Sequence, residues 1–228
     1  MVRLFLAPAT GAAKRFEPPA TPGVRARGWK WAVRLLALIA LAGAAQAADP
    51  VPEGWGWMPF PKFERAQVSL PIAGSERTVL AAVRVTEGGI KAVARTEFDR
   101  LGLSAEAFAA QIAPRADHWL EATEPELRRD ARKVVQAAVL RSESPLFPSV
   151  VLAAGFAKKC EPWCGKRLLV AIPDAHTLYI FPALAGRPES YGIEIAALYR
   201  NSPRPISPEL FEIGEGKPIR AVGSFETE

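Results

Sequence analysis

The amino-acid sequence predicts a single α+β domain, an antiparallel sheet with helices packed mainly on one face. Three observations predict it. Short apolar runs bounded by turn formers recur in both halves of the chain, at residues 66–71, 78–85, 167–172 and 177–181. Two pairs of these runs are joined by short, turn-rich connections of the kind that close hairpins. Between them the apolar spacing shifts to a helical period, with Phe108, Ile112 and Trp119 on one face.

The first element is not part of that domain. Arg25, Arg27, Lys30 and Arg34 lead into an apolar stretch from Leu35 to Ala45, which ends in Ala45-Gln46-Ala47. This is the layout of a secretory signal peptide, with cleavage between Ala47 and Ala48. The apolar stretch falls short of the roughly 18 residues a membrane-spanning helix needs, so no transmembrane anchor is expected in the mature chain. The Pro- and Ala-rich stretch upstream lengthens the basic region beyond what a signal requires, and translation starting at Val24 is an alternative to one long leader. Export to the periplasm or beyond the cell follows as the expectation. Residues 48–228 would then be the working protein, long enough to bury roughly 70% of the unfolded surface.

The leader also distorts the charge. The chain carries 29 Lys and Arg against 24 Asp and Glu. Seven of the bases and one of the acids lie in residues 1–47, leaving 22 bases and 23 acids, a net of −1. A nearly neutral chain lacks the one-sign field that would bring it to nucleic acid or anionic lipid, which leaves only local basic patches for either.

Residues 48–65 hold four prolines and two glycines around Trp55, Trp57, Phe60 and Phe63. Pro and Gly at this density argue against a regular helix or a central strand. The segment reads as an extended arm pinned to the 66–228 domain by aromatic anchors, with a ligand platform as the alternative. Strands at 66–71 and 78–85 flank a turn at Ala73-Gly74-Ser75, and a third at 90–94 follows Gly88-Gly89. Ser104 is placed to cap a helix beginning at Ala105, which Pro114 should kink or split. The charged residues 121–133 read as a short helix or a loop, and residues 134–140 as a strand whose alanines leave helix open. Residues 149–157 read as helix. The runs 167–172 and 177–181 are strands joined by Pro173-Asp174-Ala175-His176. A last helix over 189–199 would turn Ile193 and Ala196 to the core. The proline-rich tail from 201 reads as irregular, with an edge strand at 218–222.

Cys160 and Cys164 are the only cysteines. In an exported chain an even count suggests a disulfide, here a local clip. The rival reading joins Cys160, Cys164, Asp174 and His176 as a metal- or thiol-dependent site, since four such side chains could supply a zinc set. The spacing matches neither the Cys-x-x-Cys of thioredoxin-type pairs nor the Cys-x-x-Cys-His of haem attachment. Other polar groups are bland. Glu97 with Asp99, and Glu124 with Glu126, are two apart and would diverge on a helix. Arg128, Arg129, Arg132 and Lys133 could form a local anion patch, although Glu121, Glu124, Glu126 and Asp130 stand beside them. There is no nucleophile elbow, phosphate-binding loop or zinc-protease motif, so no cofactor is implied.

From Leu103 onward the order of features resembles the YtpQ-like group of uncharacterised bacterial proteins. The resembling pieces are Leu103-Ser-Ala-Glu-Ala-Phe108, residues 134–140 leading into Ser144-Pro-Leu-Phe-Pro-Ser-Val-Val-Leu152, and the strand–turn–strand run Leu168 to Phe181. The resemblance implies an α+β fold and brings no activity or site residue. The leader and the Trp-rich arm depart from that group. The function expected is a non-catalytic binding domain of the cell envelope, with an envelope protein or a small ligand as partner.

Overall fold

In a computed structural model the described residues are 51–226, so the leader, the Ala47–Ala48 junction and Val24 lie outside them. Two antiparallel sheets and four α-helices make up the fold, which keeps the α+β class.

The smaller sheet is built on β3 (Thr78–Thr86). Strand β1 (Trp55–Pro61) pairs along one edge of it, from Trp55 opposite Arg84 to Pro61 opposite Thr78. Strands β2 (Ser69–Pro71) and β4 (Gly89–Ala92) share the other edge. The segment read as an arm therefore contributes a strand, β1, to the smaller sheet. Its prolines are tolerated because β1 is an edge strand, where a missing N–H removes no ladder bond on the open side.

The larger sheet runs β10-β9-β7-β8-β6-β5. Its centre is the expected hairpin, β7 (Arg167–Ala171) and β8 (Thr177–Pro182). Strand β6 (Val135–Arg141) pairs with β8, and β5 (Glu126–Arg129) closes that edge. On the other side β9 (Glu209–Gly214) pairs with β7, and β10 (Arg220–Ser224) with β9. Two expectations fail here. The charged stretch 121–133 contributes an edge strand rather than a helix or loop, because an edge can leave Glu126 and Arg129 in water. The tail supplies an inner strand as well as an edge one.

Both faces of the larger sheet are buried, and its alternation divides two cores. Ala138, Leu140, Leu168, Val170, Leu178, Ile180, Phe211 and Ile213 face the main core. That core also holds Met58, Phe60, Ala81 and Val83 of the smaller sheet and Phe156 and Cys160 of helix α3 (Phe156–Cys164). Ala137, Val139, Ala171, Tyr179, Phe181 and Leu210 face the opposite way, under helix α4 (Gly192–Asn201). Helices thus cover the larger sheet from both sides. The α4 phase differs from the expected one: Ile195 and Ala196 are buried, while Ile193 is 89% exposed. Residues 149–157 form a 3-10 turn (Phe147–Leu152) and the start of α3 rather than one helix, broken at Ala153, whose extended ψ of 135° follows the turn.

On the smaller sheet's outer face, Trp55, Trp57, Val68, Ala82 and Val93 meet helix α1 (Arg95–Phe98) and helix α2 (Ala105–Glu121). Ser104 caps α2 by accepting from Ala107 N at 3.1 Å, as its sequence position predicted. Pro114 does not split it. Phe108, Ile112, Ala116 and Leu120 form a buried stripe on both sides of the proline, and Pro114 itself is exposed. Burial of the stripe outweighs a lost helical bond that costs about 3 kcal/mol. Lys159 Nζ donates to the carbonyls of Leu120, Glu121 and Thr123, holding the C-terminal end of α2 to α3.

The two sheets are also tied at the β2–β3 turn. Ala221 N donates to Ala73 O at 2.8 Å, and Gly74 beside it has φ +74°, where a Cβ would lie 2.7 Å from Ala221 O. Only glycine fits that approach.

Candidate functional site

The four residues of the expected thiol or metal site do not meet. Cys160 and Cys164 lie on consecutive turns of α3, both buried in the main core and both free thiols, so the expected disulfide clip is not formed. Cys164 Sγ lies 3.7 Å from Ile180 O. His176 is four residues further back along β8, roughly 13 Å at the rise of an extended chain. It sits at the β7–β8 turn, where its Nδ1 is 2.9 Å from Ser142 O and its backbone N donates to Asp174 Oδ1 at 2.9 Å. Asp174 and His176 thus complete a turn docked on the end of β6. Burial pushes the Cys160 thiol up to about 12, with the neighbouring Cys164 adding to it, and burial pushes Cys164 up to about 11. Thiols held neutral at physiological pH are poor nucleophiles. Among the described residues no group of three or more His, Cys, Asp and Glu is placed to hold a metal ion.

Several of the other sequence candidates form ion pairs. Glu97 meets Arg84 at 3.3 Å, Asp99 meets Arg95 at 2.8 Å, and Glu126 meets Arg128 and Arg141. Arg128 is further engaged by both oxygens of Glu194 and lies over the rings of Tyr179 and Tyr191, 5.6 and 5.7 Å from their centroids. Hydrogen bonding from Arg128 holds the Glu194 carboxyl below the usual carboxylate range. Burial, and then the bond to Glu194, push the Tyr179 hydroxyl up. This cluster fastens α4 to the larger sheet.

An apolar pocket among the described residues lies elsewhere, between β1 and α2. It measures about 170 Å³, opens to the surface and is lined chiefly by Trp55, Trp57 and Trp119 with Ile112, Leu152 and Ser149. Three alanines leave the space. Ala109, Ala113 and Ala116 line the pocket from α2, where larger apolar residues would fill it. Phe108 supports two of its walls from behind, meeting the rings of both Trp55 and Trp57 edge-on at 6.1 Å. Arg115 fixes the mouth: its guanidinium donates to the carbonyls of Val51, Pro52 and Trp55 at 2.8–3.2 Å, clamping the chain before β1 onto α2. Trp57 is 5% exposed and Trp55 half-buried, so the tryptophans wall a cavity rather than form an open platform.

No family model, curated protein or solved structure matches the chain. The YtpQ-like resemblance therefore gains nothing from these comparisons, and the pocket stands on its own chemistry.

Sequence reasoning placed Trp119 on the same face as Phe108 and Ile112. It missed Arg115 and the alanines. Small residues at 109, 113 and 116, on the face that carries large residues at 108, 112 and 119, were the available signal.

Proposed function

We propose that the chain is an exported, non-catalytic binding module of the bacterial envelope whose pocket between β1 and α2 takes a small aromatic or apolar ligand. The observation that carries this reading is the pocket itself: three tryptophans and three alanines around about 170 Å³. A cavity of about 150 Å³ with apolar walls stays dry and accommodates a benzene ring. Drug-sized ligands need roughly 300 Å³ or more, so the ligand is a single ring system or a short aliphatic group. Arg115 is spent on backbone carbonyls, which rigidifies the mouth and lowers the ordering cost of binding. The export part of the reading rests on the leader, with Ala48 as the first residue of the mature chain. An intact mass of protein recovered from the cell envelope checks it, and a chain retaining residues 1–47 would refute it.

The ligand reading is tested by calorimetric titration with indole and with benzene. The expected result is saturable binding by the natural chain and a loss of about tenfold or more in Ala109→Leu, with the melting temperature preserved. Absence of binding to either probe, or equal binding by the filled variant, would overturn it.

A further inference from the structure

We propose that the cleft between the β5–β6 turn and the loop after β8 is the face by which this protein lies on an anionic lipid surface. Arg132 and Arg187 take the phosphates, and Leu184 and Ile193 enter the interface. The cleft measures about 780 Å³ and is lined by Asp130, Arg132, Gln136, Arg187, Ser190 and Tyr191. The sequence flagged its basic half as a patch that neighbouring acids should neutralise. The structure separates that cluster into two parts. Arg128 is consumed by Glu126 and Glu194. Arg132, Lys133 and Arg187 are exposed, and no ion pair among the described residues uses them.

The acids beside them do not restore balance. Asp130 turns its carboxylate to the turn's own donors, the N–H groups of Arg132 and Val134 at 2.9 Å and Gln136 Nε2 at 3.2 Å. Glu189 is exposed near the loop, leaving Arg129, Arg132, Lys133 and Arg187 against Asp130 and Glu189, a net positive rim. Lys133 holds a left-handed φ of 64° at the tip of the turn, a conformation that asparagine or glycine adopts at less cost.

The apolar part is independent of the charges. Leu184 is 93% exposed and Ile193 89%, more than any other large hydrophobic residue among those described. Leu184 adjoins Ala185, which lines the cleft, and Ile193 lies two residues beyond Tyr191, which also lines it. Two bare aliphatic side chains beside a basic rim match the division of a lipid interface into anionic headgroups and acyl chains. A soluble anion would use the arginines and leave the aliphatics without a role. The site lies on the α4 side of the larger sheet and does not depend on the tryptophan pocket.

Sedimentation with vesicles tests this. All ten strands, all four helices and the three apolar cores lie within residues 51–226, so a chain beginning at Ala48 carries the described fold without the leader's own lipid affinity. It should bind vesicles of phosphatidylcholine containing phosphatidylglycerol, and release them as salt rises. It should bind phosphatidylcholine alone far more weakly. Arg132→Ala with Arg187→Ala should lower the partition coefficient about 30-fold, at about fivefold per basic residue near the surface. Leu184→Ser with Ile193→Ser should lower it at least as much with no change in melting temperature. Equal binding to both vesicle types, or to neither, overturns the proposal. So does binding that the serine variants retain and that free glycerol phosphate abolishes, which would mark a soluble-anion site.

Discussion

Glu209 on β9 accepts a 2.7 Å hydrogen bond from Thr78 Oγ1 on β3, so a carboxylate only 4% exposed joins the two sheets. Three further donors reach it: Ser75 Oγ at 2.6 Å, Glu76 N at 2.8 Å and Arg77 N at 3.2 Å. Hydrogen bonds rather than a cation offset the cost of burying this charge. Replacing Glu209 by alanine strands the Glu76 and Arg77 N–H groups at the junction, while the Ser75 and Thr78 hydroxyls keep Thr78 O and Ser207 Oγ as partners. The expected loss is about 3 kcal/mol of stability in urea unfolding, with Glu209→Gln in between because its carbonyl keeps part of the set. A loss below about 0.5 kcal/mol for the alanine variant would mean that the junction is held by packing alone.

The thiols of Cys160 and Cys164 report on opening of the core. Burial keeps both protonated at pH 8, so a thiol reagent reaches a thiolate only when α3 lifts from the larger sheet. Native protein should label about a thousandfold or more slowly than denaturant-unfolded chain, and labelling should accelerate with denaturant. Rapid labelling of folded protein, or a folded mass lighter by two hydrogens, would contradict the free, buried thiols.

The acid and alkaline limbs of stability have named owners. Glu194 is held low by Arg128. Burial pushes Glu212 up, but its bonds to Arg167 and Arg220 outweigh that and leave it lowered. A carboxyl lowered in the fold contributes its stability above the unfolded value near 4.3 and loses it as pH falls through the folded value. Tyr179 is raised, so its contribution is complete below about 10 and fades as pH climbs above that. The melting temperature should therefore be flat from about pH 5 to about pH 9, falling on either side. Glu194→Gln should cost about 1 kcal/mol near neutrality and weaken both limbs. Unchanged limbs in that variant would place the titrating groups elsewhere.

These networks were mostly invisible in the sequence, for identifiable reasons. Strands β7 and β8 were legible because both faces of the larger sheet are buried, which writes a continuous apolar run. The edge strand β5 was not, because Glu126-Leu-Arg-Arg129 spends its edge position on charge. Strand β9 was hidden by Pro203, Pro205 and Pro208, which precede it and end where it begins. Ile193 was misassigned because Gly192, Ile193 and Ile195 permit two helical phases, and only contact with Tyr179 and Phe181 selects the one that buries Ile195. Glu209 and the tryptophan pocket depend on pairs more than fifty residues apart, beyond the reach of local spacing. The four thiol–metal candidates lie within seventeen residues of sequence, yet the two cysteines sit on α3 while Asp174 and His176 sit at the β7–β8 turn, a separation that local spacing does not encode.

Pro114 offers the last test, because it joins stability to the pocket. As an interior residue of α2 it has no N–H to offer the carbonyl of Ala110, and its ring crowds that turn. It is exposed, so alanine there leaves no cavity. Pro114→Ala should restore the missing bond and stabilise the protein by about 1–3 kcal/mol, read as a higher urea midpoint. Its neighbours Ala113 and Arg115 both line the pocket, Arg115 by gripping Val51, Pro52 and Trp55. Closing the missing bond moves this turn and the two pocket residues on it, so indole binding should weaken as stability rises. That opposition would show the proline to be a stability cost carried for the pocket's shape. A variant no more stable than the natural chain would show that the α2 ladder already accommodates Pro114 without loss.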